Sequence, residues 1–175
     1  MIKENLKKLL IDNLSNHNIK GLISYMELND FDYHLAELKG PLAMATFKGV
    51  YIDIRSINNK PYNENLFYFI LLHETAHMKR MKKFGKTKIL EMLSHENFDV
   101  FFNHVINEEL IADRYGCYIY KKLNNKIFPE QLTQQLNLDY KKEKYKSTIK
   151  NIFGVIKNDE KKYDELFNQY IIKIH

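Results

Sequence analysis

Leu66-Phe67-Tyr68-Phe69-Ile70-Leu71-Leu72-His73-Glu74-Thr75-Ala76-His77 runs from an apolar segment straight into two histidines four positions apart. On a helix that spacing turns the chain by about 400°, a net offset of roughly 40°, so both imidazoles leave one face about one turn apart and can reach one ion. Glu74 lies about 100° round from His73, which suits a group that serves a water on the ion rather than the ion itself. The pattern is HExxH, and its chemistry requires a helix. The flanks supply one. Pro61 and Asn63 are start signals, Leu66, Phe67, Ile70 and Leu71 form an apolar face, and Gly85 follows the cationic turns Lys79-Arg80 and Lys82-Lys83 as a stop.

A catalytic zinc needs a third protein ligand and an open position. The best candidate lies in Asn107-Glu108-Glu109-Leu110-Ile111-Ala112-Asp113-Arg114-Tyr115-Gly116. Glu109 and Asp113 are i, i+4 neighbours and share their helical stripe with the small residues Ala112 and Gly116. The motif helix carries its own small residue, Ala76, on the stripe of His73 and His77. Two such faces allow the close helix approach that a metal held between them requires. Glu109 is therefore assigned as third ligand. Asp113, one turn on, is placed to accept the other ring N–H of a liganding histidine. Glu108 points away and reads as a solvated helix residue. His95 and His104 are the rival ligands. A metzincin continuation is excluded, because the positions three and six after His77 hold Arg80 and Lys83.

An HExxH motif followed by a glutamate in an E-x-x-A-D stretch 32 positions after His77 resembles the gluzincins, and among them the small ImmA/IrrE-type metallopeptidases. The resemblance covers residues 40–120 and is anchored by His73, Glu74, His77, Glu109, Ala112 and Asp113. It implies an intracellular zinc endopeptidase with a small antiparallel sheet before the active-site helix, and a helix-turn-helix repressor as one kind of substrate. The chain departs from that pattern in the long basic segment from Met78 to Phe102. It departs again in Arg114-Tyr115-Gly116-Cys117, where the family usually carries a phenylalanine-alanine pair. The site chemistry thus carries over more directly than the substrate.

With 175 residues and 45% hydrophobic content, the chain suits one domain with a real core, residues 129–175 forming a C-terminal helical extension. The single cysteine, Cys117, rules out an intramolecular disulfide framework and points to the reducing cytoplasm. Met1 to Ser15 is amphipathic rather than a signal peptide, and the longest apolar run falls far short of the roughly 20 residues a membrane span needs. The formal charge of +5 resides on scattered lysines, grouped at 79–88 and 141–150. Scattered lysines on helices are usually a solvated face, and no aromatic-interleaved basic motif accompanies them, so direct nucleic-acid binding is not expected.

Along the chain, Ile19–Leu28 reads as strand or short helix, Asn29-Asp30 as a turn, and Phe31–Lys39 as helical. Leu42–Phe47 and Val50–Ile54 around Lys48-Gly49 form the clearest hairpin. One of its strands is a candidate to hold an extended peptide beside the metal. Lys86–Ser94 is read as a helix, Phe98–Leu123 as a helix pair or one bent helix, and Asn124-Asn125 as a turn. Two amphipathic helices then carry Ile149, Ile152, Phe153, Ile156 and Leu166, Phe167, Tyr170, Ile171, Ile174. The expected fold is α+β and mostly helical, with a small antiparallel sheet packed beside the HExxH helix.

The expected activity is zinc-dependent hydrolysis of a peptide bond in a protein substrate, with Zn2+ on His73, His77 and Glu109, Glu74 as general base, and Asp113 orienting a ligand. His34, Tyr51, His104 and Tyr115 are candidate donors to the developing oxyanion. The alternative is a non-catalytic protein- or nucleic-acid-binding protein on a metallopeptidase scaffold. A weaker reading is a zinc hydrolase acting on another kind of carbonyl.

Overall fold

The computed structural model describes residues 2–14, 17–55, 64–126 and 129–175. The start signals at Pro61 and Asn63 lie outside the described residues. Two short helices, α1 (Glu4–Asn13) and α2 (Ile19–Leu28), open the fold. Strands β1 (Tyr33–Leu38), β2 (Ala43–Thr46) and β3 (Gly49–Asp53) follow, then the long helices α3 (Glu64–Leu93) and α4 (Phe98–Asn124). A 3-10 segment (Glu130–Leu136) leads to α5 (Leu138–Ile152), α6 (Glu160–Asn168) and β4 (Ile171–Ile174). The architecture is α+β and mostly helical, as expected.

The sheet order is β2-β3-β1-β4. The anticipated hairpin is β2–β3, antiparallel, with Ala45 opposite Val50. The sheet is mixed rather than antiparallel, because β3 lies between β2 and β1 and runs parallel to β1. Two chain reversals separate β1 from β3, so inserting β3 beside β1 makes that pair parallel.

Two sequence readings are corrected here. Phe31–Lys39 contains a strand, β1, instead of a helix. Tyr33 and Leu35 join the main core while Ala36 and Leu38 join a second cluster, so both faces are covered and the plain inward-outward alternation that marks a half-buried strand is lost. The final helix also stops earlier than its apolar pattern suggests. α6 ends at Asn168, and the β-branched stretch Ile171–Ile174 pairs antiparallel with β1. A free sheet edge is what selects strand over helix there. The segment expected as a helical extension thus contributes a strand to the sheet.

The main core lies between one sheet face and α1–α4, where Leu6, Leu10, Leu22, Met26, Val50, Ile52, Phe67, Tyr68, Leu71 and Leu72 meet. On the other face, Met44 and Tyr51 pack with Phe167 and Tyr170. α3 is broken at Gly85, where φ is 76° and ψ 160°, a conformation that favours glycine. The stop signal and the separate helix after it are both present, and α4 is one continuous helix. The turns expected at Asn29-Asp30 and Asn124-Asn125 use left-handed residues, Asp30 with φ 49° and Asn125 with φ 47°. No helix among the described residues is long and apolar enough to cross a membrane.

Candidate metal centre

α3 is seated on the sheet through Thr75, whose hydroxyl donates to the Leu71 carbonyl at 2.7 Å and lies 3.1 Å from the Tyr33 hydroxyl. That anchoring turns His73 and His77 toward α4. The two long helices approach closely where small residues face each other. Ala76 and Ala112 are buried, and a Cβ on Gly116 would come within 3.1 Å of the Phe69 ring and 3.4 Å of the His73 backbone nitrogen. The small-residue stripe read from the sequence is therefore the contact that sets the site.

Beside this contact the two imidazoles of α3 converge, Nε2 to Nε2, at 3.0 Å. Glu109 of α4 completes the group, with Oε2 3.5 Å from His73 Nε2 and Oε1 3.3 Å from His77 Nε2. One ligand atom from each of the three lies within 4.8 Å of the others, and no other such group occurs among the described residues. Two imidazoles and one carboxylate could hold a metal ion. The rivals fall elsewhere. His104 is exposed, 6.3 Å ring to ring from His95, and His95 accepts from the Asn97 N–H in the α3–α4 loop.

Asp113 meets His73 rather than His77. Its Oδ1 accepts from His73 Nδ1 at 2.7 Å, which fixes the tautomer and leaves Nε2 toward the ligand group. Burial opposes a charge on His73, but the bonds to Asp113 and Glu109 outweigh it and raise the imidazole to about 10. Burial likewise works against an ionised Glu109, yet His73 and His77 hold its carboxyl well below the usual range. The site is built to hold positive charge.

Glu74 stands apart from the ligand group. Its Oε2 accepts from the Ala45 N–H at 2.8 Å, which ties it to β2, a terminal strand of the sheet. Burial raises its pKa, opposed by His73 and His77. Glu108, expected in solvent, forms a half-buried ion pair with Arg80 that links α3 to α4.

None of the four expected oxyanion donors is drawn into this group. Tyr51 packs with Met44 on the sheet face turned away from α3, and His34 stacks on it at 4.8 Å. The Tyr115 hydroxyl accepts from Lys79 at 2.7 Å and lies 3.3 Å from that of Tyr25. His104 is exposed.

Two residues that the sequence reading overlooked come from α5. The Lys141 ammonium pairs with Asp113 Oδ2 and lies 3.9 Å from Glu109 Oε2. The Tyr145 ring lies 5.1 Å from the Lys141 nitrogen. Burial, with Glu109, Asp113 and Glu74 nearby, pushes the Tyr145 hydroxyl well above the usual tyrosine range, so it stays protonated and able to donate. A signal was present: Lys141, Tyr145 and Ile149 recur at four-residue spacing, and Ile149 is buried, which puts a lysine on the inward stripe.

Compared with known proteins, the chain matches no family model, and no curated protein or solved structure shows significant similarity to it.

Proposed function

We propose that the protein is a zinc-dependent endopeptidase of the HExxH-plus-glutamate kind, acting on a cytoplasmic protein. The resemblance to ImmA/IrrE-type enzymes suggests a transcriptional repressor as the candidate substrate. The observation that carries this reading is the convergence of His73, His77 and Glu109 on one point, with Glu74 of the same helix as the histidines bonded to the terminal strand β2. Two imidazole nitrogens and one carboxylate oxygen fit the ligand set of catalytic zinc sites, which keep a fourth position open. When bound there, zinc would lower the pKa of a water and polarise a peptide carbonyl.

The protein's own groups take the remaining roles. Asp113 holds His73 in the tautomer that presents Nε2. Glu74, with its pKa raised by burial, takes the proton of the attacking water and returns it to the leaving amine. Tyr145, whose hydroxyl also bonds Glu109, would donate to the developing oxyanion. β2 is paired with β3 on one side only, and its other side carries the Ala45 N–H that meets Glu74. An extended peptide added along that edge would be held by main-chain hydrogen bonds with its scissile bond near Glu74.

The test is incubation of the zinc-loaded chain and its Glu74→Gln variant with a proteome-derived peptide library, reading new N-termini by mass spectrometry. Cleavage by the native chain that drops by about 10²–10⁴-fold in Glu74→Gln, with zinc content unchanged, is the expected result. Cleavage retained in the variant would remove Glu74 as base. No cleavage by a chain that holds one zinc would favour the non-catalytic binding reading.

A further inference from the structure

We propose that Lys141 is a positioning residue of the metal centre, acting through Asp113 to fix the His73 ring that presents Nε2 to the ion. The inference rests on the reading of His73, His77 and Glu109 as ligands. Lys141 and Asp113 are each 1% exposed, so both charges are taken out of water at a cost that the contact alone does not obviously repay. The two oxygens of Asp113 are divided between partners. Oδ1 accepts from His73 Nδ1 at 2.7 Å, while Oδ2 makes no hydrogen bond among the described residues and meets the Lys141 ammonium as an ion pair. A carboxylate engaged at both oxygens cannot turn about its Cβ–Cγ bond without losing one of them. The His73 ring is thereby held where its Nε2 lies 3.0 Å from that of His77.

Two other roles for Lys141 make different predictions. As a fastener of α5 to α4 it duplicates what Ile149, buried in the cluster with Phe101, Ile106 and Leu110, already does with apolar contact. As a bare charge 3.9 Å from Glu109 Oε2 it would repel a dication and compete for that oxygen. Replacement by methionine, which keeps the length and removes the charge, therefore separates the three. Metal affinity falls if Lys141 positions Asp113, stays the same if it only fastens, and rises if it acts as a nearby charge.

The experiment is a double-mutant cycle on zinc affinity, measured by competition with a chromophoric chelator, in the native chain, Lys141→Met, Asp113→Asn and the double variant. Folding is followed by circular dichroism and ligand geometry by the visible spectrum of the cobalt-substituted proteins. Lys141→Met is expected to weaken zinc binding about tenfold and Asp113→Asn about 10–100-fold, while the double variant is no weaker than Asp113→Asn. Unchanged or tighter binding in Lys141→Met, or the same tenfold loss repeated in the Asp113→Asn background, overturns the positioning role. If Lys141→Met alone does not fold, Asp113→Asn against the double variant decides: equal affinities support the role and a further loss overturns it. A native chain that binds no zinc overturns the ligand reading and this inference together. Native binding with an unaffected Lys141→Met overturns only this inference.

Discussion

Two histidines with little-exposed side chains, His17 against α3 and His73 within it, are driven in opposite directions. His17 stacks on Tyr68 at 4.6 Å, meets the edge of Tyr120 at 5.9 Å, and has Nε2 2.9 Å from Asn65 Oδ1. Burial lowers its pKa, and Asn65 and Glu64 only partly offset that. His73 is just as hidden, yet Asp113 and Glu109 reverse the effect and raise it to about 10. Burial by itself makes a histidine a neutral aromatic packing group. A ring of carboxylates makes the same side chain part of a place where a cation is stabilised. What sets a ligand apart from a core residue is therefore its neighbours, not its depth.

The largest contrast between the two places should be in metal content. His77→Ala and Glu109→Ala each leave two ligands and are expected to abolish stoichiometric zinc binding with helical circular dichroism retained. Zinc retained in Glu109→Ala would remove that residue from the ligand set. Next in size is Tyr145→Phe, expected to lower turnover about 10²–10³-fold with zinc affinity unchanged. Equal turnover would leave the oxyanion without Tyr145. The smallest effects belong to His17. His17→Phe should keep zinc and shift the urea midpoint by about 1–2 kcal/mol in stability. It should also flatten the pH dependence of stability. A folded pKa below the ordinary histidine value of 6.5 means that stability is complete above that pH and is lost as pH falls through it toward the folded value. An unchanged acid limb in the variant would deny His17 that role.

The contrast also shows which parts of the site were legible in the sequence. His73, Glu74 and His77 are local, so the helical repeat alone aligns them. Glu109 and Asp113 are 36 and 40 positions from His73, yet Ala112 and Gly116 advertise the close contact that brings them in. Which histidine Asp113 meets depends on the rotation of α4 about its axis, and no residue spacing encodes that. Lys141 and Tyr145 were hidden for another reason. They lie in a lysine-rich stretch that reads as a solvated face, and only packing against α4 makes its inner stripe visible. β1 and β4 escaped the reading because strand pairing is decided by distant partners. His175 N–H reaching the Leu35 carbonyl at 2.8 Å is invisible in either segment alone.

The break at Gly85 has an electrical consequence. It ends the part of α3 that carries His73 and His77 after Phe84, so the negative pole of that helix dipole falls among Lys79, Arg80, Lys82 and Lys83. The pole acts only within about the last turn and is neutralised there by cations. His77, about two turns back, is left to the field of its carboxylates, so the potential that an incoming ion meets comes from side chains and not from the backbone that carries them.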